Sequence, residues 1–115
     1  MADKILRWYI DGNITRSKFE VGGSYTLDAD YAPEWVQMHV RVVGNGGSMI
    51  LDINDDGTSI FTNQPALTEY QTDKKWTTIT GTAMRKDSIV TLDIDQVYSQ
   101  DTARDLTVEL GLRKI

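Results

Sequence analysis

The segment Asp52-Ile53-Asn54-Asp55-Asp56-Gly57 has the residue types and spacing that open a calcium-binding EF-hand loop. Such a loop closes with a bidentate glutamate at its twelfth position, where this sequence has Asn63, and it needs a helix on each side. Both flanks have the pattern of β-strands instead. The sequence therefore favours an Asp-rich hairpin turn, and a loose calcium site on Asp52, Asn54 and Asp56 is the alternative.

Two further pairs of carboxylates are spaced to share one face of a strand, namely Asp93 with Asp95 and Asp28 with Asp30. Two carboxylates on one face could bind a cation or provide acid–base chemistry across a glycosidic bond. More often such a pair forms the solvated side of a sandwich strand, and like charges there discourage edge-to-edge pairing of sheets. We expect the second arrangement at both pairs.

His39 is the only histidine, and no G-x-S-x-G or related nucleophile motif accompanies it. It alternates with Gln37 and Arg41 on the face opposite a row of valines, which predicts a surface or a subunit interface. The sequence therefore predicts a protein that is not an enzyme, with no catalytic residue, no cofactor and no required metal.

The aromatic residues are the remaining candidates for binding. Flat rings in a shallow groove stack on sugars, but a small domain also needs large rings in its core and subunit contacts. Core or interface positions are favoured, and a glycan-binding platform is the alternative. The rings considered are Trp8, Tyr9, Trp35, Trp76 and Tyr98, of which Trp8, Trp35 and Trp76 are the candidate ligand or interface residues.

The composition indicates one globular domain spanning residues 1–115, with 40% hydrophobic and 25% charged residues. The net charge of -5 and the lack of a basic run longer than Lys74-Lys75 argue against nucleic acid and anionic membranes as partners. No apolar stretch approaches the roughly 20 residues of a membrane span. Cysteine is absent, so disulfides and zinc–thiolate sites are excluded.

Apolar residues recur with a period of two, which predicts strands and an all-β fold of two antiparallel sheets. The expected core positions are Val36, Met38, Val40, Leu92, Ile94, Leu106, Val108 and Leu110. Glycine and Asx clusters, including Asp11-Gly12-Asn13, are expected to turn the chain, and Asp55-Asp56-Gly57 to form a hairpin. The strands are expected at roughly 5–11, 14–21, 25–30, 36–42, 49–54, 58–62, 76–84, 90–94 and 106–112, with a long crossover loop over 63–73.

Two phrases of the sequence resemble jelly-roll structural proteins of tailed bacteriophages. Residues 47–62, GSMILDINDDGTSIFT, resemble a "GS-apolar-DINKNGTSIFT" phrase of that family, and Gln64-Pro65 and Leu67-Thr68 match the segments that follow it. Residues 86–97, KDSIVTLDIDQV, followed by residues 105–108, DLTV, resemble its closing phrase. The sequence departs from the family at Tyr98, where a glycine is usual, and at Lys74-Lys75-Trp76, where a small Ser/Thr-rich stretch is usual.

The resemblance implies a jelly-roll module of tail fibres, receptor-binding proteins, baseplates or head decorations, to which no catalytic residues belong. We therefore expect a virion structural or accessory protein, made in the host cytoplasm and located on the particle. Its expected partners are copies of itself, in a trimer or another homo-oligomer, and other virion proteins. A module that binds carbohydrate or a host-surface glycan receptor is the alternative. Outward apolar residues expected at a subunit interface are Trp35, Val43 and Ile50.

Overall fold

The structure is a computed structural model that describes residues 3–15, 20–79 and 82–115, and these residues contain β-strands but no helix. The strands are β1 (Lys4–Ile14), β2 (Ser24–Thr26), β3 (Tyr31–Val42), β4 (Ser48–Asp55), β5 (Thr58–Ser59), β6 (Ala66–Thr68), β7 (Asp73–Trp76), β8 (Ile89–Gln96) and β9 (Ala103–Lys114). They form two antiparallel sheets. Sheet A has the order β1-β9-β3-β7, and sheet B has the order β2-β8-β4-β5, with β6 also paired to β4. The predicted all-β class with two antiparallel sheets is confirmed.

The core lies between the two sheets and consists of the alternate residues of each long strand. All eight predicted core residues, which come from β3, β8 and β9, are at most 1% exposed. Their neighbours in sequence point outward, as the period of a pleated strand requires. The alternation in the sequence therefore identified both the strands and the side that each one buries.

Trp8 links β1, an edge strand of sheet A, to β2, an edge strand of sheet B. Its ring is fully buried and lies edge-on to Tyr25 of β2, with ring centres 5.3 Å apart. Its Nε1 donates a hydrogen bond to the carbonyl oxygen of Gly23 at 3.1 Å. The Tyr25 hydroxyl in turn donates to the carbonyl oxygen of Arg7. Strands β1 and β2 therefore share one edge of the molecule, and β7 lies at the opposite edge of sheet A.

The hairpin predicted at Asp55-Asp56-Gly57 is confirmed. Asp55 is paired with Thr58, so the loop has two residues, Asp56 and Gly57. Their φ angles are 48° and 84°, and positive φ at both central residues defines a type I′ turn. This turn matches the right-handed twist of the flanking strands, which explains why an Asp-Gly pair occupies it.

The prediction of a turn at Asp11-Gly12-Asn13 is wrong, because β1 continues through these residues to Ile14. The register with β9 shifts between Ile10 and Asn13, and Gly12 has a φ of 80°. These features define a β-bulge, which needs the same positive φ as a turn. The separate strand predicted at 14–21 falls partly on residues 16–19, which lie outside the described residues.

Five other predicted segments also have different bounds in the structure. The loop predicted at 63–73 contains β6, and β7 begins at Asp73 and ends at Trp76, although the sequence predicts a strand over 76–84. Residues 80 and 81 of that predicted strand lie outside the described residues. The strand predicted at 25–30 ends at Thr26, and that predicted at 58–62 ends at Ser59. Strand β3 begins at Tyr31 and accommodates Pro33, where the register with β9 shifts and β7 no longer borders the strand.

Candidate functional site

The outer face of sheet B carries carboxylates on its two central strands. Asp52 of β4 stands directly opposite Asp93 of β8. Neutral donors bind both groups: the Ser59 hydroxyl donates to Asp52 at 2.5 Å, and the Asn54 side-chain amide and the Glu20 backbone N–H donate to Asp93 at 2.8 and 2.9 Å. Partial burial raises the pKa of the Asp52 carboxyl, and the charges of Asp95 and Asp93 raise it further.

The residues of the alternative calcium site are held separately by the sheet. Asp52 binds Ser59, Asn54 donates to Asp93, and Asp56 accepts a hydrogen bond from the backbone N–H of Ile89 at 2.8 Å. In the part of the chain that the structure describes, no group of three or more His, Cys, Asp or Glu residues is arranged to hold a metal ion. Residues 52–57 therefore form a turn and bind β4 and the turn to β8 through hydrogen bonds, which accounts for their composition without a metal ion.

We expect calcium and chelators to leave the stability of the protein unchanged. The reason is that Asp52, Asn54 and Asp56 each already have a hydrogen-bond partner in the sheet. The measurement is thermal unfolding in excess calcium and in excess chelator at the same ionic strength. A midpoint that falls by many degrees in chelator would show that the hairpin holds a metal.

Replacing Asp52 with asparagine is expected to stabilise the protein at pH 7. The raised pKa means that the folded state binds the Asp52 proton more tightly than the unfolded chain does, so the charged form costs stability above both pKa values. The expected gain is within about 0.5 kcal/mol, since surface substitutions rarely exceed that size. It should shrink as the pH falls towards 3.8, the ordinary value of the group. Urea unfolding at several pH values measures it, with the exposed Asp101→Asn as control, and a loss of stability at pH 7 would contradict it.

Asp28 and Asp30 do not share a strand face, which corrects the sequence prediction, because β2 ends at Thr26. Asp28 accepts hydrogen bonds from the Tyr31 hydroxyl at 2.7 Å and from the Lys4 ammonium at 2.9 Å. These two donors lower the pKa of the Asp28 carboxyl to about 2. Asp30 accepts from the Lys86 backbone N–H at 2.8 Å. The hydrogen bonds of Asp28 and Asp30 therefore stabilise the connection from β2 to β3, and the two carboxylates do not form a joint site.

His39 lies on the outer face of sheet A, as the alternation predicts, and its side chain is half exposed. Its Nδ1 is 2.8 Å from a carboxylate oxygen of Asp73, the residue opposite it on β7. On the same face Arg41 pairs with Asp105, and Arg7 with Glu109. This surface is a set of cross-strand ion pairs.

The three candidate tryptophans occupy three different environments. Trp8 is 0% exposed and has the core position that the sequence favoured for the rings, so its ring is not available to a ligand or a partner. Trp35 is half buried on the outer face of sheet A and lies on Gly111 of β9, where an added Cβ would come within 2.2 Å of the ring. Trp76 is paired with the inward-facing Val36 and packs against the core at the edge of the sheet.

The remaining aromatic and apolar candidates are also dispersed. Tyr98 is buried, and its hydroxyl donates to the carbonyl oxygen of Leu67 at 2.7 Å, whereas Tyr9 is 55% exposed on sheet A. Val43 is partly buried against the core, and Ile50 lies half buried on β4 in sheet B. Trp35, Val43 and Ile50 therefore do not form a single predicted interface patch.

One feature that the sequence did not predict is that each of the two β7 lysines lies over a tryptophan ring. The Lys74 Nζ lies 5.2 Å from the centre of the Trp76 ring, and the Lys75 Nζ lies 5.1 Å from the centre of the Trp35 ring. Both distances are within the range of cation–π attraction. We call Trp35, Lys74, Lys75 and Trp76 the Lys–Trp edge. The run Lys74-Lys75-Trp76 was the available signal, but pairing with β3 was needed to bring Trp35 to it.

A second feature is a shallow depression of about 440 Å³ on the outer face of sheet B. We call it the acidic depression, because Glu20, Asp56 and Asp93 line it together with Ile89. Ile89 is 47% exposed there. The depression combines one exposed aliphatic side chain with carboxylates, a combination that suits a long cationic side chain.

Comparison of the chain with protein-family models, curated proteins and solved structures gives no match. Within the described residues no helix is long and apolar enough to cross a membrane.

Proposed function

We propose that this chain is a non-catalytic structural or accessory protein of a bacteriophage particle, built as a jelly roll. The pairing of strands supports the jelly-roll topology. Strand β1 pairs with β9, β2 with β8, β3 with β7, and β4 with β5 and β6, so the pairs are nested like those of one long hairpin. Two further pairings, β3 with β9 and β4 with β8, join these pairs into two sheets, as rolling such a hairpin would.

The observation that carries the proposal is the position of the two phage-like phrases. The first forms the β4–β5 hairpin and the second forms β8, and β4 pairs with β8 across the middle of sheet B. The segment between them adds to the same unit, since the Leu51 backbone N–H donates to the carbonyl oxygen of Pro65 at 3.1 Å. Residues 47–62 and 86–97, which are separated by 23 residues of sequence, thus contribute to one sheet, and residues 105–108 of the closing phrase lie in β9 of sheet A. This arrangement supports a shared scaffold over a chance likeness.

The geometry of the surfaces supports a role in assembly. On the outer face of sheet A, Arg7 and Arg41 are paired with carboxylates across strands, and exposed Ile5 and Tyr9 accompany them. Such a face suits repeated contact with identical neighbours or with a particle surface. We place the protein on the virion, as a head decoration or a part of the tail apparatus, in contact with copies of itself and with other virion proteins.

The experiment is reconstitution on particles that lack the protein. Purified protein is mixed with such particles and sedimented, and the pellet should contain it at a saturating ratio. Protein sedimented without particles is the negative control. Protein that stays in the supernatant while it binds specific sugars on a glycan array, with loss of that signal in Trp35→Ala or Trp76→Ala, would overturn the proposal in favour of a carbohydrate-binding module.

A further inference from the structure

The charges of this protein are segregated between its two sheets. The four strands of sheet A contain eight Lys or Arg residues and five Asp or Glu residues, a net charge of +3. The five strands of sheet B contain four Asp residues and no Lys or Arg, a net charge of -4. Opposite charge on the two sheets makes contact between unlike surfaces of two copies electrostatically favourable.

Much of the positive charge in sheet A is already neutralised, but the Lys–Trp edge is an exception. Ion pairs hold Arg7, Arg41 and Arg113 to carboxylates of the same sheet. Among the ion pairs between described residues, none involves Lys74 or Lys75. Each lysine instead rests near a tryptophan ring, which holds its ammonium group in place at the free edge of the sheet. Tryptophan is among the residue types that dominate binding energy in protein interfaces.

The acidic depression has the complementary chemistry. The carboxylates of Asp56 and Asp93 accept hydrogen bonds from backbone and amide N–H groups, and neither is in an ion pair with a described residue. Exposed Ile89 provides an apolar surface for the methylene stem of a lysine or for an indole ring.

The two surfaces cannot meet within one molecule. The depression lies on the outside of sheet B, where Thr91 of its lining pairs with Ser24 of β2, and β2 shares its edge of the molecule with β1. The Lys–Trp edge lies on β7, at the opposite edge of the other sheet. Contact between them therefore requires two copies, and a contact between unlike surfaces generates a closed ring or an open filament.

We propose that the Lys–Trp edge of one copy docks in the acidic depression of the next, so that copies of the protein assemble head to tail. This inference rests on the proposed function, since it specifies the self-association expected there. The contact joins cations held near aromatic rings to carboxylates that have no cationic partner among the described residues. It also covers Ile89 and the exposed parts of Trp35 and Trp76.

The test is sedimentation velocity of the purified full chain across a range of protein concentrations in low salt. The wild type should sediment as an oligomer and should dissociate as sodium chloride is raised, because salt screens the contact. Lys74→Glu/Lys75→Glu, and separately Ile89→Lys, should each weaken self-association by more than about tenfold, since each places like charge or removes apolar contact at the interface. Lys86→Glu/Lys114→Glu makes the same change of charge at exposed lysines elsewhere and should retain the oligomer.

Thermal unfolding of every variant checks its folding, and Lys75→Glu alone replaces the double variant if that one does not fold. An oligomer that survives both the edge and the depression variants would overturn the contact, as would an equal loss in the Lys86→Glu/Lys114→Glu control. A wild type that remains monomeric at all concentrations would overturn it as well. Reconstitution on particles distinguishes these failures from failure of the proposed function, because a protein that binds particles as a monomer would still sediment with them.

Discussion

Replacing Trp8 with alanine is expected to lower the free energy of unfolding by about 3–5 kcal/mol. The ring is fully buried, and its removal takes away the edge-on contact with Tyr25. The change also leaves the carbonyl oxygen of Gly23 without the hydrogen bond from Nε1. A domain of this size is stable by only about 5–15 kcal/mol, so much of its stability would be lost.

Urea unfolding followed by circular dichroism measures this change, with Tyr9→Ala as the matched control. Tyr9 is the next residue of β1 and is 55% exposed, so its loss should have a small effect. A cost below about 1 kcal/mol for Trp8→Ala would fall outside the range for a buried tryptophan and would contradict the core position. The comparison separates a tryptophan that holds the two sheets together from one that is available to a ligand.

Replacing Leu92 with alanine is expected to cost about 2–5 kcal/mol, because the cavity left in a closed core adds to the lost transfer energy. Leu92 is 0% exposed and stands opposite Ile53 in the pairing of β8 with β4. Ile89→Ala is the control on the same strand, since Ile89 is 47% exposed. Equal effects of the two substitutions, measured by the same unfolding experiment, would contradict the alternation on which the sandwich is built.

The sequence predicts which face of each long strand is buried, because the alternation of apolar and polar side chains is set within the strand itself. In β3, β8 and β9 the alternation alone identified which residues are buried, and the structure confirms each of them. The Asp-Gly hairpin was predictable for the same reason, since its positive φ angles are a requirement of two adjacent residues.

Features that depend on pairing between distant strands were not predictable. Asp11-Gly12-Asn13 has the composition of a turn, and only the partner β9 makes it a bulge within a continuous strand. Strand β6 is three residues long and has no period of its own, and it is a strand because Met49 of β4 pairs with Leu67. The strand predicted from residue 36 begins after Pro33 in the sequence, yet β3 includes Pro33 at a position that β7 does not border.

The sequence indicated which residues could form a site, but it did not predict how those residues lie relative to one another. The sequence singled out Trp8, Trp35 and Trp76 together, but a strand places alternate residues on opposite faces, and partner strands decide which face is covered. Trp35 meets Lys75 only because β3 pairs with β7, with Gln37 opposite Lys75. Lys74 and Trp76, in contrast, are alternate residues of β7 itself. The acidic depression brings Glu20 to Asp93 across 73 residues of sequence, which no local pattern encodes.

The central proposal, that this is a structural component of a phage particle, is tested most directly by counting copies of the chain in purified particles. Particles encoded by the genome that carries this sequence are purified by density gradient, and the chain is quantified by mass spectrometry against the major capsid protein. We expect a fixed copy number that is unchanged between preparations and agrees with the symmetry of the head or the tail. Absence of the chain from particles, together with its accumulation in the soluble fraction of infected cells, would contradict the proposal.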